Sequence, residues 1–188
     1  MSVQVAFLRG VGHSPDDMLE MPVLCQSLTA AGLAGSRTYR ESGNVVVVSD
    51  QAPDQLARLI SAVIEQRFGR DIFVIVRSHQ ELTEVVARNP FEGTAADPEL
   101  YHVAFLDSAL EADEAGKLED LAVGGEKVAV IGRELYAWHP EGFSGSRLID
   151  GIRAVRVPAT ARDWATVTGL LGLAHEVDAA GAERNRDD

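Results

Sequence analysis

The chain has 188 residues, 46% hydrophobic and 24% charged, with a formal net charge of −12. That is the make-up of an ordinary globular protein able to bury a real core, as one large domain or two small ones. The charge argues against broad capture of nucleic acid or anionic membrane, and the single Cys25 excludes an intrachain disulfide or a Cys-rich metal centre. No apolar run is long enough to span a bilayer and no signal-type segment opens the chain, so the expectation is a soluble, cytoplasmic protein.

Val3 to Leu8 is a short apolar run and reads as a strand. Arg9-Gly10-Val11-Gly12-His13-Ser14-Pro15 follows as a loop. A Gly-x-Gly between strand and helix is one element of phosphate-binding turns, but Pro15 stands where a dinucleotide fingerprint has its third glycine, and no Gly-Lys-Ser/Thr follows. An ordinary turn is the simpler reading, and Asp16 and Asp17 would repel a phosphate. Pro22 suits a first helical turn, Met21, Leu24, Cys25 and Leu28 form one apolar face, and Gly32 suits the end.

Ser36 to Ser49 reads as a β-hairpin, with Thr38-Tyr39 in one strand and Val45 to Val48 in the other. Gly43 and Asn44 between them can supply the positive φ of a tight turn. Pro53 then opens the clearest amphipathic helix, with Leu56, Leu59, Ile60, Val63, Ile64 and Phe68 on one face and Gly69 at its end. Asp71 to Arg77 is a further strand, and Ser78-His79-Gln80-Glu81 is a capping box opening a short helix.

The first half therefore predicts a ferredoxin-like βαββαβ order, with an antiparallel sheet and both helices on one face. Its strands are apolar on both faces, so the second face also requires cover, for which the rest of the chain is the candidate. Asn89 to Pro98 reads as the boundary. Beyond it the spacing predicts a strand from Leu100 to Leu106, a helix from Asp113 to Ala122 and a hairpin of Lys127–Ile131 with Glu134–Trp138. A loop, a short helix, a strand from Ile152 to Val157 and a last helix follow. Thr160 reads as the N-cap of that last helix, Asp163 as a first-turn residue, and Trp164, Val167 and Leu171 as its buried face. The expected organisation is an α+β fold with a ferredoxin-like half at 1–90, a second α+β half at 91–175 packed on it, and a disordered acidic tail at 176–188.

The histidines, His13, His79, His102, His139 and His175, show no i, i+4 metal spacing, and no Gly-x-Ser-x-Gly nucleophile elbow occurs. No metal, cofactor or catalytic residue is assigned. Ser144-Gly145-Ser146-Arg147 carries a serine beside a cation, equally explained by a loop that starts a helix.

With these pieces named, the chain resembles the DUF1697 family of uncharacterised bacterial proteins. The matching stretches are Phe7-Leu8-Arg9-Gly10-Val11, Met21-Pro22-Val23-Leu24, Thr38 to Val46, Asn89-Pro90-Phe91, Val130 to Tyr136, Ser146-Arg147-Leu148 and Thr160 to Val167. The resemblance implies an α+β fold with a ferredoxin-like first half, and no activity. It departs from the family's usual Asn-Val-Gly-Gly and basic residues after Arg9-Gly10, having Gly12-His13-Ser14-Pro15-Asp16-Asp17 instead.

Three functions are compatible with these residues: a small-molecule binder or enzyme with a cleft between the halves, a nucleic-acid-binding module on an open sheet, and an interaction module without chemistry. The first ranks highest, with a small anionic ligand held by Arg9, Gly10, Ser42, Asn44 and Arg162. The second ranks lower because Val45 to Val48 offers no aromatic for base stacking.

Overall fold

A computed structural model describes residues 2–12, 14–40 and 43–184. Its first elements are β1 (Ser2–Leu8), α1 (Met21–Ala30), β2 (Arg37–Thr38), β3 (Asn44–Ser49), α2 (Pro53–Phe68) and β4 (Val74–Ser78), followed by α3 (His79–Ala87). The second series is β5 (Tyr101–Leu106), α4 (Ala112–Glu119), β6 (Lys127–Ile131), β7 (Glu134–Trp138), α5 (Arg147–Ala154) and β8 (Ala159–Asp163), followed by α6 (Trp164–Arg184). The fold is α+β, with two four-stranded antiparallel sheets ordered β2-β3-β1-β4 and β6-β7-β5-β8. Counted within each series, both sheets have the order 2-3-1-4, so the βαββαβ order read in the first half recurs in the second.

Two compact units result. The first takes residues up to Glu84 and, from α6, Thr168 onward; the second is Val85–Val167. Strand alternation builds each core. Ala6, Leu8, Val45, Val47, Val74 and Val76 pack with Leu24 and Leu28 of α1 and Leu56, Ile60 and Ile64 of α2. In the second unit Ala104, Leu135 and Ala137 pack with Leu118 of α4 and Leu148 of α5. The opposite faces are buried as well: Val5, Phe7 and Val46 in the first sheet and Val103, Phe105 and Tyr136 in the second are all nearly inaccessible.

The predicted punctuation explains several boundaries. Pro53 opens α2, and Gly69 closes it at φ 67° with its N–H donating to the Glu65 carbonyl. The Ser78 capping box forms reciprocally: Glu81 N–H donates to Ser78 Oγ at 3.1 Å, and Ser78 N–H donates to Glu81 Oε2 at 2.8 Å.

The last third departs from the sequence reading. No strand runs from Ile152 to Val157, where α5 reaches Ala154; the strand is Ala159–Asp163. Thr160 and Arg162 are thus strand residues, and Asp163 is the cap, accepting from Thr166 N–H at 2.7 Å. The segment expected to be a disordered tail from residue 176 continues α6 to Arg184. Its buried apolar positions are Val167, Leu170, Leu173, Ala174 and Val177, a helical stripe that includes the tail's Val177 and has Leu170 where Leu171 was expected. Residues 185–188 of the expected tail lie outside the described residues.

In the first unit α6 is tied to both neighbours by side chains. Arg37 Nη1 of β2 donates to Glu176 Oε2 at 3.2 Å, and the His79 and His175 rings meet edge-on at 4.6 Å. Tyr39 occupies the space beside Gly169, so a Cβ there would run into the Tyr39 hydroxyl group. In an open helix Gly→Ala stabilises by about 1 kcal/mol. Gly169→Ala should instead lower the melting temperature, and in a Tyr39→Ala background the same change should raise it. Identical effects in both backgrounds, measured by thermal denaturation, would disprove the Tyr39–Gly169 contact.

Candidate functional site

The loop after β1 carries the first two predicted site residues. β1 lies between β3 and β4, so the exit of the strand is clamped on both sides. Leu8 N–H donates to the Gly43 carbonyl at 2.8 Å, and Arg9 N–H donates to the Phe73 carbonyl at 3.0 Å. Arg9 and Gly10 are exposed, Gly10 with φ 71°. Phe73, an exposed aromatic, flanks this edge. The following turn is closed by Gly12 N–H on the Asp17 carbonyl, and Arg70 reaches across to it: Nη1 donates to Asp17 O at 2.9 Å, and Nη2 lies 3.6 Å from Asp17 Oδ1. Ser14 Oγ donates to the other Asp17 oxygen at 2.8 Å. One of the two acids expected to repel an anion from this loop is therefore already paired.

The remaining predicted residues divide. Asn44 is fully buried and lies in β3 rather than in a left-handed turn; its Nδ2 donates to the Tyr39 carbonyl at 3.2 Å. Positive φ falls on Gly43 (70°) and Arg40 (55°) instead. Asn44 thus closes the hairpin. Ser42 lies outside the described residues.

Arg162 is a correction of a different kind. It is not in a first helical turn but in β8, 6% exposed, with Nη1 donating to Thr160 Oγ1 at 2.8 Å and to the Ala161 carbonyl at 2.7 Å. Burial pushes its guanidinium down to about 10, against the pull of the neighbouring Asp163, so it remains charged at neutral pH. It belongs to the second unit, Arg9 to the first.

Arg162 has a counterpart that the sequence reading passed over. Arg77 of β4 is 1% exposed. Arg77 pairs with Val5 as Arg162 pairs with Val103, each on the central strand's flank, and each is followed by one capping residue, Ser78 or Asp163, and then a helix. The signal in the sequence was the matching strand–Arg–cap–helix order, hidden because the last strand was misplaced.

The second unit also gathers polar side chains that the sequence left scattered. Glu126 ends the turn before β6, His139 follows β7, and Ser146 caps α5, accepting from Ile149 N–H at 3.1 Å. Glu126 Oε1 accepts from Ser146 Oγ and lies 2.9 Å from His139 Nδ1, while Oε2 accepts from Val123 N–H at 3.3 Å. Burial would raise the Glu126 pKa, but these hydrogen bonds outweigh it and hold the carboxyl below its ordinary value. The carboxylate therefore accepts, so the His139 Nδ1 that faces it is the donor of this contact. Phe143 meets the His102 ring edge-on at 4.8 Å and the His139 ring at 5.2 Å. Among the described residues, no cluster of three or more His, Cys, Asp or Glu side chains could hold a metal ion.

These shifts make the protein acid-sensitive. Burial lowers the His102 pKa, with Asp163 opposing and His139 reinforcing; burial also lowers that of His79, with His175 reinforcing and Asp178 opposing. All three groups, Glu126 included, bind fewer protons folded than unfolded, so each contributes stability above its unfolded pKa that is lost on acidification. The melting temperature should be flat above neutrality, decline below the histidines' ordinary 6.5 and fall again below Glu126's ordinary 4.5. A His79→Gln, His102→Gln double variant should lose the first decline and keep the second.

Comparison with known proteins follows the same lines. A family model described as "Protein of unknown function (DUF1697)" matches residues 1–136. A solved structure of a conserved bacterial protein from Streptococcus pneumoniae is similar at a TM-score of 0.72 and 18% identity, covering 92% of this chain and 98% of that one. At that identity the likeness shows the fold. No curated protein matches the sequence. No helix among the described residues is long and apolar enough to cross a membrane.

Proposed function

The chain belongs to the DUF1697 family, which brings no activity with it, and we propose from its geometry that it binds a small anionic ligand at the end of its first sheet. The observation that carries this reading is the setting of Arg9. Its backbone N–H is tied to the Phe73 carbonyl and that of the preceding Leu8 to the Gly43 carbonyl, its side chain is exposed, and Asp17 of the same loop is already engaged by Arg70 and Ser14. A rigid backbone presenting an exposed guanidinium lowers the ordering cost of gripping a carboxylate or phosphate with two parallel bonds. Gly10 leaves open space beside it, where a Cβ would meet nothing within 4 Å. Asn44 supports this site from below by holding the hairpin, while the buried Arg162 has its own partners and takes no part.

A nucleic-acid ligand is disfavoured. Base stacking needs an open sheet face with aromatics, whereas both faces of the first sheet are buried around Val5, Phe7 and Val46.

The reading is tested by thermal shift with phosphate, citrate, nucleotides and sugar phosphates on wild type and Arg9→Ala. A ligand at ~100 times its dissociation constant should add ~2.7 kcal/mol of stability to the wild type. Arg9→Ala should fold within about 0.5 kcal/mol of wild type, as exposed substitutions usually do, and lose that response. Equal responses in the two proteins would remove Arg9 from the site.

A further inference from the structure

Two buried imidazole nitrogens in the second unit lack protein partners. His139 is 0% exposed, and its Nε2 has no hydrogen-bond partner among the described residues; the same holds for Nδ1 of His102. Buried polar atoms in native proteins are nearly always satisfied, and an orphan signals an occupant or a functional group held ready. Here the two orphans are not independent. Their rings flank one aromatic, Phe143, each edge-on to it.

Phe143 is 39% exposed although it is a large apolar ring, so one part of it meets solvent while its ring contacts both histidines. Its loop runs between Gly142 at φ 84° and Gly145 at φ 77°, and a Cβ at either glycine would meet nothing within 4 Å. The loop is thus jointed on both sides of the ring without side chains to block its movement. Two carboxylates stand beside the rings. Glu126 bonds His139 directly, and Asp163 stands opposite His102 in the β5–β8 ladder.

We propose that the two histidines under Phe143 form a binding site for a small primary amine, taken as its ammonium ion, with His139 Nε2 as the principal acceptor. With Glu126 accepting from Nδ1–H, the neutral His139 ring presents Nε2 as an acceptor, the two carboxylates favour a cation over an anion, and the ammonium supplies the N–H donors that the ring nitrogens lack. The aromatic ring adds a further attraction for a desolvated cation. This site is separate from the Arg9 loop and opposite to it in charge preference.

The test is NMR of the full-length ¹⁵N-labelled protein near pH 7.5, following the imidazole nitrogens. The free protein should show His139 with its proton on Nδ1 and a bare Nε2. Ethanolamine, titrated through the millimolar range, should move the His139 Nε2 resonance saturably, whereas acetate at equal ionic strength should not. Phe143→Ala should keep the tautomer and bind ethanolamine with faster exchange, and Arg9→Ala should leave the response unchanged, which separates this site from the anion reading. A proton on Nε2, or no saturable response to ethanolamine in both wild type and Phe143→Ala, would overturn the proposal and leave a trapped water as the partner of these nitrogens.

Discussion

Arg77→Ala should destabilise the protein by about 3–5 kcal/mol, although the residue is a cation and the substitution is a small one. Arg77 is among the largest fully buried side chains, at 1% exposure, and its Nη1 donates to the Val76 carbonyl at 3.1 Å. Alanine removes the bulk of the side chain and strands the acceptors it serves, so a cavity and a desolvation cost combine. Arg77→Met separates the two, since methionine refills much of the volume and restores none of the hydrogen bonds. It should recover about half of the loss, leaving about 1–3 kcal/mol for the unsatisfied groups. Arg162→Ala, at the equivalent place in the second sheet, should behave alike. Arg37→Ala, whose exposed partner is Glu176, should cost less than about 1 kcal/mol. Urea denaturation of the four variants decides the matter. If Arg77→Ala were as mild as Arg37→Ala, burial of this arginine would contribute nothing to stability.

Gly43→Ala is the second change expected to be severe, at about 2–5 kcal/mol, the sum of two costs. Gly43 has φ 70°, where an L side chain is strained, and a Cβ there would lie 2.8 Å from the Val11 Cβ and 3.1 Å from the Leu8 Cβ. Both opposing atoms sit next to the backbone, so neither can swing away. Gly10→Ala provides the internal control. Its φ is nearly the same at 71°, but nothing lies within 4 Å of the built Cβ. Only the strain remains there, about 1–2 kcal/mol. The difference between the two variants measures how tightly the hairpin turn presses on the Arg9 loop, and equal costs would mean that the two do not touch.

That contact between hairpin and loop shows where sequence reasoning succeeds. The hairpin, the helix from Pro53 to Gly69, the capping box at Ser78 and the strand pair about Gly132-Arg133 are local features. Their signals lie within a few residues of the structure they specify: alternation, a 3.6-residue apolar period, proline at the start and glycine at the end. The βαββαβ order of the first half followed from them, and with it the placement of Arg9 and Gly10 beyond a strand end.

The failures share one cause. Ala159 to Asp163 has the composition of a turn and helix start and becomes a strand because β5 offers it an unpaired edge. Val177 looked like part of a polar tail because its apolar partners, Leu170, Leu173 and Ala174, precede it at helical spacing across an acidic surface. Arg162 reads as a ligand group because an arginine beside a helix start is usually exposed, and only tertiary packing buries it. Asn44 likewise was a turn residue by type and a buried hydrogen-bonding residue by position. Local sequence by itself determined which segments became helices and hairpins, because neighbouring residues supply both the pattern and the hydrogen bonds. Which polar side chains were buried, and that His102 joined the Glu126, His139 and Ser146 group gathered by the β6–β7 hairpin, was decided only when strands distant in sequence paired, since burial is a property of neighbours that the chain does not carry alongside.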